Sequence, residues 1–198
     1  MNIAKEFVIK NKTAFIAAAA VYFGALILGS VLACRLEPQQ TDELKAYIVP
    51  YLSADAATQL SHADIFVSSA SAHLRFVAVA LVCAASTFLL PLFIFAFGLT
   101  GYRIGFAIAF ISDNFGVGGI ALALSSALVS CLLAVPIYFL IFVTEINYSV
   151  KRKLQNCTSD AKKDFFAFAV FAVLMYFLLC LASAAEAWIT PFIIGIMN

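Results

Sequence analysis

The sequence predicts an all-α membrane protein, a polytopic helix bundle of five spans with its N-terminus cytoplasmic and its C-terminus extracytoplasmic. Three observations predict it. The 198 residues are 64% hydrophobic and 12% charged, with a mean hydropathy of +1.03, whereas the apolar share of a soluble domain sits near half. Apolar runs long enough to cross a bilayer recur along the chain. The basic residues fall unevenly on the two sides that those runs define. With a formal charge of only +1, spread over several loops, no basic face exists to track a phosphate backbone, and nucleic acid is excluded as a partner class.

The first span is Thr13 to Cys34. An apolar stretch then runs from Phe76 to Ile111, which is roughly 54 Å of helix against a hydrocarbon core of about 30 Å, so the chain must turn within it. The natural break is Gly98-Leu99-Thr100-Gly101, which gives a second span near Phe76 to Phe97, bent at Pro91, and a shorter third near Tyr102 to Phe115. The fourth covers Ile120 to Thr144 and the fifth Phe165 to about Trp188. The whole is one membrane domain, 1–198, with an extracytoplasmic loop at 35–75 and a basic cytoplasmic loop at 145–164.

Charge placement sets the orientation. Five crossings put Lys5, Lys10, Lys12, Arg103, Lys151, Arg152, Lys153, Lys162 and Lys163 inside and leave only Arg35, Lys45 and Arg75 outside. A third segment that merely dipped into the bilayer would carry the Lys151 to Lys153 cluster to the wrong side. Val31-Leu32-Ala33-Cys34 resembles a lipoprotein cleavage site, but Leu32 is bulky where a small residue is wanted, and a retained anchor is expected.

The outer loop is acidic, with Glu37, Asp42, Glu43, Asp55 and Asp64. Thr41 can cap a helix there, on which Leu44, Tyr47, Ile48, Tyr51 and Leu52 recur at helical spacing. That face either docks on a partner or lipid, or packs on the protein's own outer surface. His62 and His73 are expected to be structural or interfacial.

Two carboxylates fall within the apolar pattern. Asp113 belongs to the outer interface. Glu186 lies some 32 Å along its span, beside Trp188 as an interfacial anchor. Arg75 enters the second span from the same side, so an Arg75–Glu186 ion pair is expected to join the second and last spans, with a proton-relay role for Glu186 as the sharper alternative. By the same depth logic Arg103 and Glu145 can pair near the inner face.

Gly101-x-x-x-Gly105 and Ala20-x-x-x-Gly24 let backbones approach closely, within the bundle or in a homo-oligomer. The five cysteines lie singly, and neither Cys-x-x-Cys nor His-Glu-x-x-His occurs, so neither metal nor cofactor is expected. Gly-x-Ser-x-Gly and a phosphate-cradling loop are also missing, and no catalytic residues are assigned.

Several segments carry a family resemblance: His73-Leu74-Arg75-Phe76, Leu90-Pro91, Gly101 through Gly105 to Gly116 and Gly119, and Glu186-Ala187-Trp188-Ile189-Thr190-Pro191. In these, over nearly its whole length, the chain resembles the stage II sporulation protein M family of five-span bacterial membrane proteins. The Arg35 to Ala72 loop is similar only in length and placement. The resemblance implies a non-enzymatic scaffold that anchors two peptidoglycan-degrading enzymes, stage II sporulation proteins D and P, at the sporulation septum or engulfing mother-cell membrane. The competing class is a transporter or permease-like subunit with a site among broken helices, for which a polar cavity at mid-depth would speak.

Overall fold

In a computed structural model of the chain, residues 9–52, 61–154 and 161–197 are described, with side chains apart from 50–52, 117–131, 153–154, 161–162 and 190–197. The described chain is all-helical: α1 Lys12–Ala33, α2 Pro38–Leu52, α3 His62–Ala84, a 3-10 turn at Thr87–Leu89, α4 Leu90–Leu154 and α5 Ala161–Met197. The long α4 is two helices joined at Gly116, whose φ of 60° and ψ of −148° lie outside any helix and suit a residue without a Cβ.

Five segments are long and apolar enough to span a bilayer: Lys12–Ala33, His62–Ala84, Thr87–Gly116, Leu132–Arg152 and Lys163–Ile189. The number agrees with the sequence reading, but several boundaries do not, and the fourth span, expected to end at Thr144, runs on to Arg152. Residues 62–75, expected to end the outer loop, form the first half of the second span. The turn expected at Gly98 to Gly101 falls instead at Ala85 and Ser86.

The reason is tertiary at both places. The last carbonyls of α3 are orphans by helix geometry, and Arg152 from the fourth span takes them, Nη1 donating to Ala84 O at 2.8 Å and Ala85 O at 2.6 Å. Ser86 then adopts an extended backbone and opens the 3-10 turn. Pro91 follows in the first turn of α4, where a missing N–H leaves no bond unmade, so it starts a helix rather than bending one. The helix runs unbroken through Gly98 and Gly101 because those glycines are contact points. A methyl on Gly101 would lie 2.6 Å from the Tyr22 carbonyl oxygen, one on Gly105 would meet Leu26 O, and one on Gly29 would meet Tyr102 O. The first and third spans thus touch backbone to backbone. Ser30 bridges them, with its Oγ 3.0 Å from Leu26 O and 3.2 Å from Gly105 O.

Gly101-x-x-x-Gly105 is therefore an internal contact, while Ala20 and Gly24 point away from the bundle, with nothing near Gly24. Between the spans lies an aromatic core in which Phe97 meets Phe142 at 4.3 Å and Phe76 meets Tyr138 edge-on at 4.6 Å between ring centroids. The fifth span packs along the second and along α4. At one end, Lys151 pairs with Asp164 at 2.7 Å across the connection between the last two spans. At the other, His62 stacks on Trp188 at 4.9 Å and its Nδ1 lies 2.8 Å from Ala187 O.

Candidate functional site

The second span begins at Ser61, whose side chain accepts from Ala63 N at 3.2 Å, and carries Asp64 in its first turn, a capped and charge-matched helix start. From there Ser69 and His73, one turn apart, face the fifth and fourth spans. Ser69 Oγ donates to Glu186 Oε2 at 2.8 Å. His73 Nε2 lies 3.4 Å from Ser69 Oγ, and His73 Nδ1 lies 2.5 Å from the Tyr138 hydroxyl. Ser183 Oγ is 3.1 Å from both Ser69 Oγ and Leu179 O.

One donor order fits these contacts. The carboxylate only accepts, so Ser69 gives it a proton; Ser69 then accepts from His73 Nε2–H, which leaves Nδ1 to accept from Tyr138 O–H. The result is a polar chain across three spans, Tyr138 to His73 to Ser69 to Glu186, its first two members buried and its last two half-buried. A network whose members have partners fixes the register of the helices that carry it.

The expected Arg75–Glu186 pair is not formed. Arg75 is exposed on the outside of the second span, and its Nε donates to Ser71 O at 3.3 Å. Glu186 has Ser69 in its place, because Ser69 is on the face of α3 turned to the fifth span and Arg75 is on an exposed one. Arg103 and Glu145 are likewise apart. With the turn moved to Ser86, Arg103 lies well inside the third span, and Glu145 is fully buried with neither oxygen hydrogen-bonded among the described residues.

The polar chain opens on a cavity of about 910 Å³ between the second, third and fourth spans, which Glu186 reaches from the fifth. Ser69, His73, Tyr138 and Glu186 line it, with Arg103 on one wall and apolar side chains such as Phe106 elsewhere. Sequence reading singled out His73 and Glu186 but missed Ser69 and Tyr138. The dense serines of Ser68-Ser69-Ala70-Ser71 in an otherwise apolar helix were the available signal.

The other candidate residues belong to α2 and to the end of α5. Helix α2 carries Leu44, Tyr47 and Ile48 and packs extensively on no other element among the described residues. Tyr47 is 70% and Val49 51% exposed, while Leu44 and Ile48 are half-buried. Tyr51 and Leu52 belong to this helix, and Thr190 and Pro191 to α5, with side chains outside the described set. Among the described residues no cluster of three or more His, Cys, Asp or Glu could hold a metal ion, and Cys34, Cys83 and Cys180 are free.

Fold and site together define a multi-pass membrane helix bundle, held by intramembrane hydrogen bonds and glycine contacts. The chain matches the family "Stage II sporulation protein M" over residues 13–191, and it belongs to that family of sporulation membrane proteins. Neither a curated protein nor a solved structure matched it.

Proposed function

We propose that this protein is a non-enzymatic membrane scaffold that anchors and localises peptidoglycan-degrading enzymes, the stage II sporulation proteins D and P, at the septum during forespore engulfment. Family membership supports the setting. The observation that carries the docking role is α2, an amphipathic helix without extensive packing on another element among the described residues, with Tyr47 and Val49 largely exposed. An amphipathic helix whose apolar side chains are largely exposed presents them to another surface.

The charge pattern supports an extracytoplasmic α2. With the spans as observed, the loops and termini on the N-terminal side carry Lys5, Lys10, Lys12, Lys151, Arg152, Lys153, Lys162 and Lys163, and those on the other side only Arg35 and Lys45. This orientation keeps the N-terminus cytoplasmic, the C-terminus outside, and α2 facing the wall.

The test is a membrane pull-down with the intact chain and with a variant carrying Leu44, Tyr47, Ile48, Tyr51 and Leu52 as serines, after equal insertion of both is shown. Capture of the two hydrolases by the intact chain alone supports docking through α2. Capture by both moves docking to another surface, and capture by neither removes the engulfment role.

A second reading, a transport subunit, is favoured by the cavity and its polar chain. Solute flux in proteoliposomes that is lost on Glu186→Gln would select it over the scaffold.

A further inference from the structure

Two side chains of opposite charge share the cavity without pairing. The rings of Phe76 and Phe97 pack at 6.5 Å between centroids, which fixes the relative depth of the second and third spans. From that level Ser69 lies seven residues back along the second span and Arg103 six residues on along the third. The two spans run in opposite directions, so both steps lead toward the end where the second span begins, by about 10 Å and 9 Å. Ser69 in turn holds Glu186 at 2.8 Å. Arg103 and Glu186 thus stand at about one depth and line one cavity, yet among the described residues they form no ion pair.

Both have bonding capacity left. Among the described residues the exposed Arg103 makes no hydrogen bond, so its five N–H donors are open to a ligand. Glu186 accepts from Ser69 at Oε2, and its Oε1 has no partner among the described residues. The cavity of about 910 Å³ has the size of a small-molecule site. It reaches from Phe76 and Thr100 at its deep end to Ile111 and Asp64, the latter in the first turn of the second span. An anion on Arg103 would also face the carboxylates of Glu186 and Asp64, and a cation on Glu186 would also face the arginine. A molecule bearing both charges meets each group with its opposite, while Ile65, Phe106 and Val135 take an apolar part.

We propose that this cavity binds a small zwitterion with an apolar group, its primary ammonium on Glu186 and its carboxylate or phosphate on Arg103. A free amino acid and the headgroup of an ethanolamine phospholipid share this chemistry. The inference goes beyond the scaffold reading and adds a ligand class to the transport reading, resting on the latter for the ligand's use in the cell and not for binding.

The test titrates the purified full chain by calorimetry in dodecyl maltoside, an uncharged detergent. Leucine is set against leucinamide, which keeps only the cation, and 4-methylpentanoate, which keeps only the anion. Dioctanoylphosphatidylethanolamine is set against dioctanoylphosphatidylglycerol, which lacks the ammonium. At least one of the two zwitterions is expected to bind roughly tenfold more tightly than its single-charge relatives, the gain of one charged contact, and the tighter one identifies the source. Arg103→Gln weakens that zwitterion by about the same factor and leaves leucinamide unchanged, while Arg103→Lys keeps most of the affinity. Glu186→Gln weakens it too and leaves 4-methylpentanoate and phosphatidylglycerol unchanged. Arg103 is exposed, so its variants test the site even where Glu186→Gln fails to fold. Zwitterions that bind no more tightly than their relatives, or a preference unchanged by Arg103→Gln, overturn the proposal. Zwitterion preference without solute flux removes the transport reading and leaves this site standing; flux lost on Glu186→Gln without that preference does the reverse.

Discussion

Ser69 and Glu186, 117 positions apart, are joined by a 2.8 Å hydrogen bond that ties the second span to the fifth. The partner of the intramembrane carboxylate is a neutral hydroxyl, itself backed by His73 and Ser183. Ser69→Ala is expected to cost about 1–3 kcal/mol, the usual loss for a bond to a charged group left without its donor. Thermal unfolding in detergent measures it. In a double-mutant cycle Ser69→Ala with Glu186→Gln should show coupling, and Arg75→Gln with Glu186→Gln none. A larger coupling for the arginine would return Glu186 to the ion pair first expected from sequence.

Gly105 and Gly101 are expected to tolerate no side chain. Because an added methyl meets backbone that cannot swing aside, Gly105→Ala should destabilise by about 1–3 kcal/mol. Gly24→Ala, facing open space, should stay within about 0.5 kcal/mol. Melting temperatures of the two variants side by side decide it, and similar losses would mean that the first and third spans are not in backbone contact.

Glu145 is buried, and among the described residues neither of its oxygens has a hydrogen-bond partner. An unsatisfied buried polar group costs about 1–3 kcal/mol, so Glu145→Leu is expected to raise the unfolding temperature. A marked loss on this change would reveal a partner for the carboxyl.

Arg152 closes the turn between the second and third spans by binding Ala84 O and Ala85 O. Its replacement by Ala strands both carbonyls and should cost about 1–3 kcal/mol. It should also raise the hydrogen-exchange rate of the Ala85 and Ser86 amides, each held by a carbonyl in the preceding turn of α3. Unchanged exchange there would mean that the turn holds without the arginine.

These residues also mark how far the sequence could be read. The apolar run after Phe76 is too long for one crossing, and that arithmetic correctly demanded a turn. Its position was misread because Gly98 and Gly101 carry a strong local turn signal and Ala85-Ser86 a weak one. Glycine serves a turn and a tight helix contact equally well, and only the presence of Tyr22 and Leu26 opposite tells them apart. Moving that turn carried Arg75 from a span end to mid-span and Arg103 from a connection into a helix, which undid both ion pairs expected from depth. His73 and Glu186 stood out as ionisable groups in apolar surroundings. Ser69 and Tyr138 did not, since a serine or tyrosine in such a helix is unremarkable until its neighbour is known.

The sequence by itself determined the helical class, the five crossings, the basic bias of one side and the family. These follow from hydropathy, charge and motif residues, which are properties of the local chain and sum along it. Tertiary structure alone decided where the chain turns, which glycines touch, and that Glu186 meets Ser69 rather than Arg75. Each of those depends on a contact between residues about 70 to 120 positions apart. The free energy of such a contact belongs to the pair and to neither residue separately.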